Sequence, residues 1–368
     1  MHRTAILPIN FSFHFEIDNL TKICSNKQIP FEIFTKIYRP TAKKKAMALK
    51  SDKSLRKLKV KNTYKHNNIY PINGLEFTKY GMHLVVSYCE GFFHVYSTIQ
   101  NIYKGMGAYS LNLIGNSLLC STINESATLL ATTAVTKDHQ IQYVDFVHLQ
   151  WIRTYGHHTN IITSLSASPR EETFLSSSLD NTVSINDLRS TSVIAKLKLS
   201  DTYLTAFHPD GTYFAICANQ CIAIHDMRRL TDQKAIYLYA YPNNSTYNKL
   251  WTGIKYSPNG KYIMTTGTEN CIQIFEADTG KPFRIFSKHQ NTFNDSLEAS
   301  FSHDSEYLAS GSSDGAVYVW NVQKDQFLQK IKCGDESPTN IVRHVKFEPL
   351  SYNLAAASND FFLLKTSE

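Results

Sequence analysis

The sequence predicts an all-β chain: a β-propeller of seven blades behind a basic N-terminal extension. Three observations lead there. One unit recurs seven times along the chain: a short apolar strand, a turn of the Pro-Asp-Gly kind, a strand of small residues, a polar hairpin, and an alternating strand. The first turn of each copy falls near Lys79-Tyr80-Gly81, Glu125-Ser126, Pro169-Arg170-Glu171, Pro209-Asp210-Gly211, Pro258-Asn259-Gly260, His303-Asp304-Ser305 and Pro349-Leu350-Ser351. Successive turns lie roughly 40 to 50 residues apart, the period of a propeller blade with long loops. The alternation within the strands has period two, that of a sheet buried on both faces.

The clearest copy runs from Leu297-Glu298-Ala299-Ser300-Phe301 through Tyr307 to Ser312 and ends on Ala316 to Asn321. Val317, Val319 and Val322 mark its last strand, and Asp314-Gly315 is read as a tight type I′ hairpin with positive φ at both residues. The seventh copy runs out of chain after Phe361 to Lys365, so its outer strand is expected from the N-terminal side, where Leu55 to Tyr64 sets Val60 between lysines. The expected division is a basic extension, 1–53, and a propeller, 54–368, closed by the strand near 54–64.

These units resemble the WD repeat. In that family a His before the first strand, a Ser or Thr ending the second, an Asp in the hairpin and a Trp in the third strand form a hydrogen-bonded network. The resemblance implies such roles for His289, Ser312, Asp314 and Trp320 in the sixth copy. In the third it implies them for His157, Ser178 and Asp180, with Asn186 at the Trp position. The fourth and fifth copies carry His225-Asp226 and Phe275-Glu276 where Trp-Asp is expected, and packing is expected to hold them.

The likeness extends to one WD-repeat family in particular, the WD-repeat subunit of the COMPASS histone methyltransferase. Four stretches carry it: Gly156 to Ser190, Phe207-His208-Pro209-Asp210-Gly211 to Arg228, Trp251-Thr252-Gly253 to Ser257, and Leu297 to Asn321. Trp251-Thr252-Gly253 and Leu297 to Phe301 lie outside the general repeat pattern and are the specific part. The chain departs from the pattern at Asn186 and in its long extension. The resemblance implies a nuclear, non-catalytic scaffold of a histone H3 lysine methyltransferase complex, linked to RNA polymerase II with phosphorylated C-terminal repeats. It equally implies service in the cleavage, polyadenylation and phosphatase machinery of transcription termination, and a generic WD-repeat adaptor of another pathway stands as a third reading.

Charge is uneven. Residues 1–65 hold 15 Lys/Arg against 4 Asp/Glu, the remaining 303 hold 23 against 27, so contact with acidic partners through bulk charge is expected to start at the arm. Lys43-Lys44-Lys45 reads as a nuclear localisation signal or as a solvated arm. Ile6 to Phe15 is broken by Pro8, Asn10 and His14 and is not read as a signal peptide.

No phosphate-binding glycine loop, nucleophile elbow or metal-binding helix motif is found in the sequence, so no catalytic residue, cofactor, metal or small-molecule substrate is expected. Seven scattered cysteines lack zinc or disulfide spacing and fit a reducing compartment; Cys217 and Cys221, flanking a hairpin, are read as buried thiols. There is no apolar run of about 18 residues, so no membrane partner is expected. His157-His158 is read as a strand pair pointing to opposite faces and unable to share a metal. Peptides are expected on the face built from the loops before the first strands and from the second-to-third hairpins. Its candidates are His158, Asn160, Tyr203, Lys249, Asp295, Asn340 and Arg343, with Lys249 and Arg343 able to donate to phosphate.

Overall fold

The computed structural model describes residues 55–64, 72–88, 90–98, 105–114, 119–121, 128–132, 139–145, 150–199, 204–218, 221–232, 234–240, 251–268, 270–334 and 340–366. They form a β-propeller. In chain order the strands are β1 (Leu58–Tyr64); β2 (Ile72–Phe77), β3 (His83–Tyr88), β4 (Glu90–Ser97) and β5 (Gly105–Ile114); β6 (Leu119–Ser121), β7 (Thr128–Thr132), β8 (Ile141–Asp145) and β9 (Gln150–Tyr155). Next come β10 (Ile162–Ala167), β11 (Thr173–Ser178), β12 (Thr182–Asp187) and β13 (Val193–Lys198), then β14 (Leu204–Phe207), β15 (Tyr213–Ala218), β16 (Cys221–Asp226) and β17 (Tyr237–Ala240). The last are β18 (Trp251–Tyr256), β19 (Tyr262–Gly267), β20 (Ile272–Glu276), β21 (Pro282–Phe286); β22 (Ala299–Phe301), β23 (Tyr307–Ser310), β24 (Ala316–Asn321), β25 (Gln326–Lys332); and β26 (His344–Phe347), β27 (Leu354–Ala357), β28 (Phe361–Thr366).

Among the described residues these strands pair into seven four-stranded antiparallel sheets. Six are consecutive in sequence, and the seventh is β26, β27, β28 and then β1. Leu58 faces Thr366 and Tyr64 faces Phe361 across that last pair. Leu55 and Leu58 are buried there, so a segment whose lysines point out is fixed by the apolar residues between them.

The core is laid down between sheets. Leu84, Val86 and Tyr88 of β3 pack with Ala355, Ala357 and Leu363 of the β26–β28 sheet, while Phe174 and Tyr155 meet edge to face across two sheets at 4.9 Å. Neighbouring inner strands are also joined by hydrogen bonds. Ser164 Oγ donates to the Thr205 carbonyl (3.0 Å), Phe207 N donates to Ser166 Oγ (2.9 Å), and Phe347 N donates to Ser300 Oγ (3.1 Å).

Two local readings of the sequence need correction. Asp314-Gly315 is not a type I′ turn. Only Gly315 has positive φ (+72°), because five residues, not two, separate β23 from β24, and glycine closes the longer loop in the left-handed region. Asn181, at φ +60°, takes that place between β11 and β12. Of the two cysteines read as buried thiols, Cys217 is buried but Cys221 is only half-buried. Their register offsets them, since Cys217 faces Ile222 and Cys221 faces Ala218.

Candidate interaction site: the axial cavity and its rim

The inner strands line a cavity of about 920 Å³. Charges enter it at sites where a short inner strand admits one charged side chain among small and apolar ones. Lys255 of β18 donates to Glu298 Oε1 (2.6 Å) and to the Ala299 carbonyl (3.1 Å). Lys346 of β26 lies between Glu298 Oε1 (2.8 Å) and Glu76 Oε2 of β2 (2.6 Å). His344 Nδ1 stands 3.5 Å from Glu298 Oε2. Three sheets thus meet at the Glu298 carboxylate, a fourth joins through Lys346 and Glu76, and the surroundings shape the chemistry of Glu298. Burial alone would raise the Glu298 carboxyl, but Lys255 and Lys346 outweigh that and hold it well below the usual carboxylate range. Burial lowers Lys255 below the ordinary lysine value despite Glu298, whereas the two carboxylates overcome burial and raise Lys346. A group of this kind fixes neighbours in place; its charges are already spent on each other.

This cluster was missed in the sequence. Its signal is there, as single charges inside Trp251 to Ser257 and Leu297 to Phe301, the two stretches that depart from the general repeat.

At the rim, the third-copy network exists but with different members. His158, not His157, is the buried histidine. Its Nδ1–H donates to Asp180 Oδ2 (3.0 Å), and Ser176 Oγ donates to its Nε2 (2.8 Å). Asn186 Nδ2 then donates to Ser176 Oγ (3.1 Å), standing where an indole N–H would, and its Oδ1 has no partner. The serine of the chain is therefore Ser176; Ser178 instead ties the loop by donating to the Asn160 carbonyl (2.9 Å) and accepting from Asp180 N (3.1 Å). Burial lowers His158 below the ordinary histidine value, which keeps it the neutral one-donor, one-acceptor link that this chain requires. Asp180 resists its burial through bonds from Thr182, His158 and Thr159 N and is held at about 2. His157 and His158 do not point to opposite faces. They lie in the loop before β10, outside any strand, and their rings are 4.5 Å apart.

The sixth-copy residues are present but do not join into one network. Asp314 Oδ2 accepts from Tyr318 OH (2.7 Å) and Lys330 Nζ (2.7 Å), while Ser312 Oγ donates to the Gln290 carbonyl (3.2 Å). His289 lies edge-on against Trp320 at 6.1 Å, and its buried Nδ1 has no partner, nor has Asp314 Oδ1. Burial pushes His289 down to about 4.

The expected partner-binding residues separate. His158 and Asn340 are interior: Asn340 donates to the Cys333 carbonyl (2.7 Å) and accepts from Ser358 Oγ (2.6 Å). Both side chains are buried and bonded within the protein. Asn160 is exposed and takes the Ile161 N–H on its Oδ1 (2.8 Å). Arg343 and Asp295 pair at 3.2 Å in the lining of the cavity. Tyr203 and Lys249 lie outside the described residues.

Comparison with known proteins adds the lineage. The family model described as "WD domain, G-beta repeat" matches residues 149–187 and 280–321. The chain is similar to "WD repeat-containing protein 82" of Drosophila melanogaster, 31% identical over 321 residues, which is 86% of this chain and 97% of that one. It is similar to "COMPASS component SWD2" of Saccharomyces cerevisiae, 25% identical over 269 residues, 71% of this chain and 79% of the relative. It is also similar to "Set1 complex component swd2" of Schizosaccharomyces pombe, 26% identical over 255 residues, 66% of this chain and 68% of the relative.

Proposed function

The chain belongs to the WD-repeat family that includes WD repeat-containing protein 82, and from that membership we propose that it is a non-catalytic scaffold subunit of a Set1/COMPASS-type histone H3 lysine methyltransferase complex in the nucleus. The observation that carries this reading is the near full-length match to one relative, together with two relatives named for that complex. The cavity supports it, because its lysines and carboxylates hold one another and bind the sheets together, as a rigid platform requires.

The finer parts of the proposal have separate supports. We read the ring as seven-bladed, on the seven four-stranded sheets and the contacts of β2 with both β6 and β26. We take the propeller as 54–368 and 1–53 as a separate extension. The pairing of β1 with β28 supports closure by the strand near 54–64, and deletion of 54–64 is expected to lower the melting temperature sharply. We place the link to phosphorylated polymerase repeats at Arg343, where a phosphate would have to displace Asp295.

Affinity purification of the tagged protein from nuclear extract, followed by mass spectrometry, tests the assignment. A SET-domain methyltransferase among the partners is expected. Recovery of polyadenylation factors and a phosphatase without it would move the protein to transcription termination.

A further inference from the structure

The fourth, outermost strand of each sheet pairs, among the described residues, on one edge only. Among the described residues, the seven outer strands β1, β5, β9, β13, β17, β21 and β25 contain eight Lys/Arg and not one Asp/Glu. The third strands are different: β4, β8, β12, β16 and β20 each carry an acid. The charge is thus sorted by radius, in a chain whose residues after 65 are net acidic.

Lysine on an edge strand has a plain explanation, since like-charged edges do not pair and copies of the chain stay apart. That does not account for the large apolar side chains left open on the same strands. Ile194 of β13 is 48% exposed, and on the neighbouring β9 Trp151 is 48% and Ile152 is 41% exposed. Arg153 of β9 donates to the carbonyl of Leu188 in the turn that leads into β13.

β13 stands out among the outer strands. Lys330 of β25 is already paired with Asp314, and Arg284 of β21 lies 4.0 Å from Asp325. Lys196 donates to a neutral carbonyl, that of His157 (3.2 Å), and among the described residues neither Lys196 nor Lys198 forms an ion pair. No strand among the described residues pairs with the outer edge of β13. Leu199 N donates to Asn181 O, so by the period of two Leu197 and Ala195 turn their N–H groups toward β12, and Lys196 and Lys198 turn theirs outward.

We propose that the open edge of β13 receives an extended segment of a partner protein, alternating apolar and acidic residues, as an added strand. Main-chain bonds to Lys196 and Lys198 would hold it, the lysines would take the acids on one face, and Ile194, at the β-bulge that breaks the alternation of β13, would meet the apolar residues of the other. The same charge that repels another copy of this edge selects an acidic strand. A peptide fits better than nucleic acid, because the exposed contacts of β13 are aliphatic and the edge offers carbonyl oxygens that would oppose phosphates. The inference does not depend on which complex the chain serves.

The test uses the full chain and a fluorescein-labelled synthetic peptide alternating valine and glutamate, read by anisotropy, with a valine–lysine peptide as the opposite charge. The glutamate peptide is expected to bind saturably, less tightly as salt rises, and the lysine peptide not at all. Ile194→Asp and Lys198→Glu, each with an unchanged melting curve, should weaken binding roughly tenfold, whereas the exposed turn variant Lys261→Glu should leave it within about twofold. Lys198→Pro should weaken it more than Lys198→Ala, since proline also removes the outward N–H. The proposal is overturned if the glutamate peptide does not bind, or if Lys261→Glu weakens it as much as the β13 variants do. It is equally overturned if polyuridylate RNA binds through Ile194 and Lys198 while the peptide does not.

Discussion

Strands β10–β12 and β22–β24 lie in the two stretches that match the repeat model, yet their sheets hold their rim loops by different physics. In the first, a chain of hydrogen bonds runs from Asp180 through His158 and Ser176 to Asn186. In the second, Trp320 is buried among Phe286, Phe327 and Tyr318 and covers His289, whose Nδ1 makes no bond. A large indole stabilises its sheet by removing apolar area from water; a small amide contributes almost none of that, so the polar chain has to be satisfied link by link. The repeat is a spacing of residues, and more than one set of interactions can occupy it.

Substitutions can break or sharpen this contrast. Trp320→Ala should have the largest effect, a loss of about 3–5 kcal/mol from an emptied apolar site, measured as the shift in urea midpoint. Glu298→Leu, one residue ahead of β22, should cost roughly 2 kcal/mol once the solvent in the cavity is allowed for, because Lys255 loses its carboxylate while Lys346 keeps Glu76. His158→Phe should cost about 1–3 kcal/mol by leaving Asp180 and Ser176 short of a partner. If its cost fell below that of His289→Phe, the contrast would collapse. His289→Phe should change stability at neutral pH by less than about 1 kcal/mol, since no bond to Nδ1 is lost.

The same histidine sets a pH dependence. Burial lowers His289 and His157 from 6.5 to about 4 in the folded chain, so below pH 6.5 the unfolded chain binds protons that the folded one refuses. Stability should therefore fall as pH drops from 6.5 toward 4 and gain no further loss from these two groups below that. His289→Phe should shallow this slope in thermal melts recorded across the window. An unchanged slope would mean that His289 is not neutral in the folded protein.

The sequence by itself determined the strand periodicity, the repeated turns and with them the propeller class, since each depends on neighbours a few residues away. Local geometry was less legible: Asp314-Gly315 looks like a two-residue turn, but the loop length around it leaves only Gly315 in the left-handed region. His157 and His158 are equivalent on paper. Which one turns inward depends on a loop lying outside the strands, and only packing over Ser176 and Asp180 selects His158. The tertiary structure alone decided the axial cluster, where Glu76 and Lys346 meet across 270 residues of sequence. Charges that far apart carry no periodic signal. Closing the sheets around one axis brings them together, and the partial loss of water there is what makes their pairing strong enough to matter.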